Sequence, residues 1–186
     1  DSADRIAGTA PHGATILGIY TELLKFIVMS NYLGGCHATS PVLHMLPAEQ
    51  GVGSDLCIGE VGTGRKYFGH SWVEVDGAIY DVAVCMPLDG GMHVGGPVFH
   101  ATDLAQGGPT KLAYGDESGE GLGEDAQVAF DLDLAGYSSI QSELDVWVLV
   151  VAMASRAGMA IPTFAHFQET YGQVRQTLKK IGTKTS

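Results

Sequence analysis

The chain has 186 residues, of which 45% are hydrophobic, and its 21 acidic against 10 basic side chains give a formal charge of −11. That balance argues against a nucleic-acid phosphate backbone as the main partner, because such affinity comes from clustered Lys and Arg. The longest uncharged apolar run, Val146 to Ser155, is about half of a membrane span, so no transmembrane helix is expected, and the length suits a single domain that buries roughly 70% of its unfolded surface.

Residues 1–13, with Gly8, Pro11 and Gly13, carry no periodic pattern and are expected to form an extended lead-in. From Ala14 to Met29 the apolar residues Ile16, Ile19, Tyr20, Leu23, Leu24 and Ile27 recur at helical spacing. A glycine corner at Gly34-Gly35 then leads into a second helix, with Cys36 at its first turn and Pro47 expected to stop it. Strands are expected over Leu56 to Val61, Tyr67 to Val75 and Ala78 to Val84, the last two joined by Asp76-Gly77, a strong hairpin signal. Residues 86–136 form a Gly-rich loop region in which Val128 to Leu134 has the alternation of a strand. Two C-terminal helices are expected over 142–181, one starting at Ser142 with Asp145 in its cap, the other following Pro162-Thr163 along Phe164, Phe167, Tyr171, Val174, Leu178 and Ile181.

The hairpin carries the chemistry. A two-residue turn sets Val75 opposite Ala78 and Trp72 opposite Asp81, so period two gathers His70, Trp72, Glu74, Ile79 and Asp81 on one face. His70 and Asp81 are then diagonal neighbours, with alpha carbons about 7–8 Å apart, within side-chain reach. Asp81 is thus placed to hold one imidazole nitrogen and leave the other free, the base and orienter half of a nucleophile triad. Bringing an ordinary thiol, with pKa about 8.5, down to about 7 takes about 2 kcal/mol. A helix N-terminus supplies about 0.3–1 of this, or about 2 when partly buried, and an adjacent imidazolium the rest. The Cys36 backbone N–H is one candidate oxyanion donor, with Asn31 or Trp72 as candidates for the second. Gly35 is a candidate for admitting a substrate carbonyl close to that N–H.

These residues resemble the transglutaminase-like superfamily. A helix-start cysteine, then Leu56-Cys57-Ile58-Gly59-Glu60-Val61, His70-Ser71-Trp72-Val73-Glu74-Val75-Asp76-Gly77 and Tyr80-Asp81-Val82-Ala83 keep its Cys, His, Asp order, with 34 residues from Cys36 to His70 and 11 more to Asp81. The pattern is most similar to small bacterial members such as the leader peptidases of lasso-peptide biosynthesis, and its spacings approach those of the arylamine N-acetyltransferases. The resemblance spans about fifty residues, Gly34 to Ala83, and Pro47 implies a shorter catalytic helix than is usual there. It implies an α+β fold with a papain-like core, N-terminal helices packed on an antiparallel sheet and additional C-terminal helices. It also implies Cys36 as nucleophile, His70 as general base and then acid, Asp81 as orienter, and a thioester acyl-enzyme.

The expected activity is therefore that of a cysteine peptidase or amidase acting on a peptide or other amide or acyl substrate. An acyltransferase or transglutaminase-type amine transfer on the same triad, and a catalytically idle binding module, are the alternatives. No cofactor and no metal are expected, because Cys36, His37, His44, His93 and His100 lack the tight ligand pairs of zinc sites, and the acidic run Asp116 to Asp125 does not fit an EF-hand loop. Cys57 and Cys85 read as packing. Three cysteines at wide spacing, with no CxxC pair and no secretory leader, favour a reducing, cytoplasmic compartment. The oligomeric state is open.

Overall fold

The computed structural model describes residues 2–141, 145–160 and 163–180. In chain order its elements are helices α1 (Ser2–Ala7), α2 (Gly13–Met29) and α3 (Cys36–Ala48), then strands β1 (Asp55–Gly62), β2 (Tyr67–Val75) and β3 (Ala78–Tyr80). Short strands β4 (Val98–Phe99), β5 (Thr102–Asp103), β6 (Gly108–Pro109) and β7 (Ala113–Tyr114) follow. The chain closes with α4 (Glu124–Asp131), α5 (Leu134–Ile140), α6 (Val146–Arg156), α7 (Phe164–Tyr171) and β8 (Thr177–Leu178). The fold is α+β. One sheet has the order β3-β2-β1-β7, antiparallel at every step, with β8 added parallel to β1; β4, β5 and β6 form a second, small sheet.

The central element is α3, which packs against α2, α6, β1 and β2. Its Val42, Leu43, Met45 and Leu46 are buried, as are the polar Thr39 and Ser40, as expected of a helix enclosed on most sides. Pro41 and Pro47 both lie inside it, each removing a backbone donor, yet the helix runs one residue past Pro47, to Ala48. On α2 the buried residues Ile16, Ile19, Tyr20, Leu23 and Ile27 form the stripe that its spacing indicates. These helices and one face of the sheet, through Ile58, Val73, Val75 and Tyr80, enclose the main core. Each such large apolar side chain contributes about 1.5–3 kcal/mol on burial. The opposite face of the sheet carries a smaller cluster of Cys57, Val61, Trp72 and Tyr114.

The hairpin register is as expected, with Val73 opposite Tyr80 and Val75 opposite Ala78. The third strand does not run to Val84. It leaves β2 at Asp81, whose backbone pairs instead with Val98, while Asp81 Oδ1 accepts the N–H groups of Ala83 and Val84 at 3.0 and 3.1 Å. An aspartate that captures the amides two and three residues ahead closes a turn.

Other expectations are corrected. The lead-in over 1–13 contains α1, whose Ala3 and Ala7 are buried against α2. Small residues make that contact, so it leaves no large-residue stripe. The segment Val128 to Leu134 is not a strand but the end of α4 and the start of α5. Its buried α4 residues are Ala126 and Ala129, three apart, whereas Val128 is exposed. The Gly-rich region 86–136 thus holds four short strands and α4 besides its loops. Asp145 is itself the cap of α6, accepting from the Trp147 N–H at 2.9 Å; Ser142 lies outside the described residues. The last helix stops at Tyr171, where a side chain on Gly172 would meet the Gln168 carbonyl at 2.5 Å. Leu178 belongs to β8 on β1, Val174 lies in the turn after α7 with its carbonyl accepting the Leu134 N–H at 2.9 Å, and Ile181 lies outside the described residues.

Candidate active site

Helix α3 begins at Cys36 because Gly34, at φ +64°, turns the chain and Gly35 caps it. Neither position admits a side chain: one on Gly34 would meet Leu88 at 2.3 Å, and one on Gly35 would meet the Tyr32 ring at 2.1 Å. The Gly34 N–H also donates to the Met86 carbonyl at 2.9 Å, which pins the loop after Asp81 beside Cys36. As the first helical residue, Cys36 presents a backbone N–H with no acceptor inside the helix.

His70 and Asp81 meet as the hairpin register requires. His70 Nε2 lies 2.7 Å from Asp81 Oδ2, and both residues are buried, at 5% and 1% exposure. Asp81 is held from every side. Its Oδ2 also accepts the Tyr114 hydroxyl at 2.8 Å, its Oδ1 takes the two backbone amides, and its own carbonyl accepts the Tyr20 hydroxyl at 3.2 Å. With Nε2 donating to this carboxylate, Nδ1 is the ring nitrogen left for the thiol.

Burial pushes the Cys36 thiol up, but the charge of His37 and then of His70, with hydrogen bonds from both, outweighs it and holds the thiol well below its ordinary value. Burial likewise pushes His70 down, and Asp81 first, then Cys36, more than reverse this, so that the imidazole is held well above its ordinary value. The arrangement favours a thiolate beside an imidazolium. The other two thiols behave oppositely. Burial, with Glu74 next, pushes Cys57 up to about 12, and burial, with Asp81 next, pushes Cys85 up to about 11.

Cys36 and His70 open into a cleft of about 520 Å³. One wall is the loop through Met86, Leu88 and Met92, another is the start of α4, and Phe68 packs edge-on to His70 with ring centres 5.5 Å apart. Helix α4 approaches closely because Gly69 has no side chain; one there would meet Ala126 at 2.6 Å.

Two sequence-derived candidates, Trp72 and Asn31, stand elsewhere, while Gly35 directly precedes Cys36 as the cap of α3. Trp72 is fully buried in the second cluster, against Tyr114 at 5.1 Å, and its indole N–H is spent on Glu74 at 2.9 Å. Asn31 is exposed at φ +50° and does not line the cleft. Gly34, not Gly35, lines it. The histidines weighed for zinc are dispersed: His44 bonds Ser54 and His100 bonds Tyr80. Among the described residues no group of three or more His, Cys, Asp or Glu is placed to hold a metal ion.

The residues missed from sequence are Tyr114, Tyr20 and His37. The two tyrosines come from distant segments with no local signal. His37 had one, its adjacency to Cys36, and its Nδ1 lies 2.6 Å from Ser71 Oγ. No family model, curated protein or solved structure matches the chain.

Proposed function

We propose that this chain is a cysteine-dependent amide or acyl hydrolase, a peptidase or amidase, working through Cys36, His70 and Asp81 on a transglutaminase-like, papain-like core. One observation carries the reading. A buried imidazole, fixed by a fully bonded carboxylate, lines an open cleft together with a helix-start thiol.

In this scheme the Cys36 thiolate adds to the substrate carbonyl, and the Cys36 backbone N–H meets the developing oxyanion. His70 gives its proton to the departing amine, which leaves a thioester on Cys36 and a neutral ring. Water then adds to the thioester while His70 takes its proton, and the acid and the thiolate–imidazolium pair are restored. An amine in place of water turns the same thioester into an acyl transfer.

The test is a burst experiment with an activated ester. An acyl adduct on Cys36, identified by mass spectrometry and absent in His70→Ala, supports the reading. Release into water against added amines then separates hydrolase from transferase. If Cys36 reacts with iodoacetamide at pH 6.5 no faster than Cys57 or Cys85, the chain is an idle module and the proposal fails.

A further inference from the structure

Beside the triad lies a second hydrogen-bonded chain, which ends at the residue next to Cys36. Ser71 Oγ donates to Gln176 Oε1 at 2.5 Å, so its lone pairs are left to accept, and the His37 Nδ1–H supplies the bond at 2.6 Å. All three residues are buried, at 7% for His37, 0% for Ser71 and 4% for Gln176. His37 also lines the cleft with Cys36. We infer that His37 is a positioning residue for the nucleophile, a second imidazole held by Ser71 and Gln176 that keeps the Cys36 sulfur ionised. The inference rests on Cys36 being the nucleophile.

The geometry follows from the short third strand. Since β3 pairs only with Val73, Glu74 and Val75, β2 upstream of Val73 has an edge free of β3, and the head of α3 sits there. The Ser40 hydroxyl donates to the Ser71 carbonyl at 2.9 Å, which fixes the helix to that edge. His70 and Ser71, successive on a strand, point to opposite faces. An N-terminal turn seated across the edge thus meets one through Cys36 and the other through His37.

The two imidazoles differ in what holds them. His70 leans on a carboxylate and exchanges a proton with substrate. His37 leans on a neutral hydroxyl and amide, which fix its ring in the cleft independently of His70. The titratable groups around His37 are few: Cys36, His70 and, on α5, Tyr137, whose ring lies edge-on at 6.3 Å. Burial, with Cys36 next, raises the Tyr137 phenol well above its ordinary value, so it stays neutral. Asp125 on α4 reaches that phenol by its charge.

The test is the rate of iodoacetamide labelling at each cysteine between pH 4 and 9, read by mass spectrometry on the full chain. His37→Asn retains a donor towards Ser71 and removes the imidazole ring. It is expected to move the acid limb of Cys36 labelling up by about one pH unit, a rate about tenfold lower on that limb, with Cys57 and Cys85 unchanged. Ser71→Ala is expected to move the limb the same way by a smaller amount. A limb that stays in place in His37→Asn overturns the inference; if that variant does not fold, an unmoved limb in Ser71→Ala overturns it. Selective labelling of wild-type Cys36 is a separate readout: its loss removes the proposed function itself, whereas its presence with unmoved limbs removes only the role of His37.

Discussion

Asp81 uses both carboxylate oxygens and its carbonyl on partners from five different segments, and that sets how it responds to change. In Asp81→Asn the side-chain amide must present its NH₂ group to His70 or Tyr114, or to the two backbone donors, and so lose at least one of these bonds. The imidazole then loses its orienter, and acylation by an activated ester is expected to fall by about 10²–10⁴-fold, measured as burst rate. The pH dependence follows from the two directions. Cys36 is held low and His70 high, so labelling of Cys36 should already be under way below the ordinary range of a thiol. The sign for stability is also determined. The raised His70 contributes stability that is fully present below its ordinary value of 6.5 and is lost as pH rises through its raised value. Thermal melts should therefore show a falling Tm on the alkaline side that flattens in His70→Gln.

At the scale of elements, the glycine corner and the caps are the sensitive joints. Gly35→Ala drives a methyl into the Tyr32 ring, 2.1 Å away, and is expected to cost about 1–3 kcal/mol in urea unfolding, the range for overpacked sites. Asp145→Ala removes the α6 cap together with the acceptor of the Ser138 hydroxyl, at an expected cost of about 1–2 kcal/mol. The elements that were legible in the sequence are those whose signals are local. Asp76-Gly77 set the register, period two put His70 and Asp81 on one face, and the α2 stripe named its own core. Helix α4 was not legible because alanines make its contact, and Val128, Phe130 and Leu132 imitate a strand. The end of α7 was missed because the stripe ran on past Gly172, whose need to be glycine comes from the Gln168 carbonyl. Trp72 was placed on the right face, but which side chain covers that face is decided by Tyr114, 42 residues on. His37 leaves no such signal in the strand pattern, because alternation pairs residues on one face of β2, whereas α3 sits across its edge.

Across the whole molecule, the support of the site depends on the last described strand. β8 lies parallel to β1, with Thr177 opposite Cys57, and Lys179 ties it down through Glu74 at 2.9 Å and Asp55 at 3.0 Å. Removal of residues 175–186 deletes this strand and Gln176. The expected result is a Tm lower by about 4–10 °C, at about 2–4 °C per kcal/mol for a chain of this size, with the acid limb of Cys36 labelling moved as in Ser71→Ala. Gln176 stands 105 residues beyond Ser71, which has a consequence in time. During synthesis Cys36 and His37 therefore emerge well before Gln176, and on a growing chain Ser71 waits for its acceptor. On the proposed function, full support of the Cys36 thiol thus forms only once the segment around Gln176 has docked beside β1.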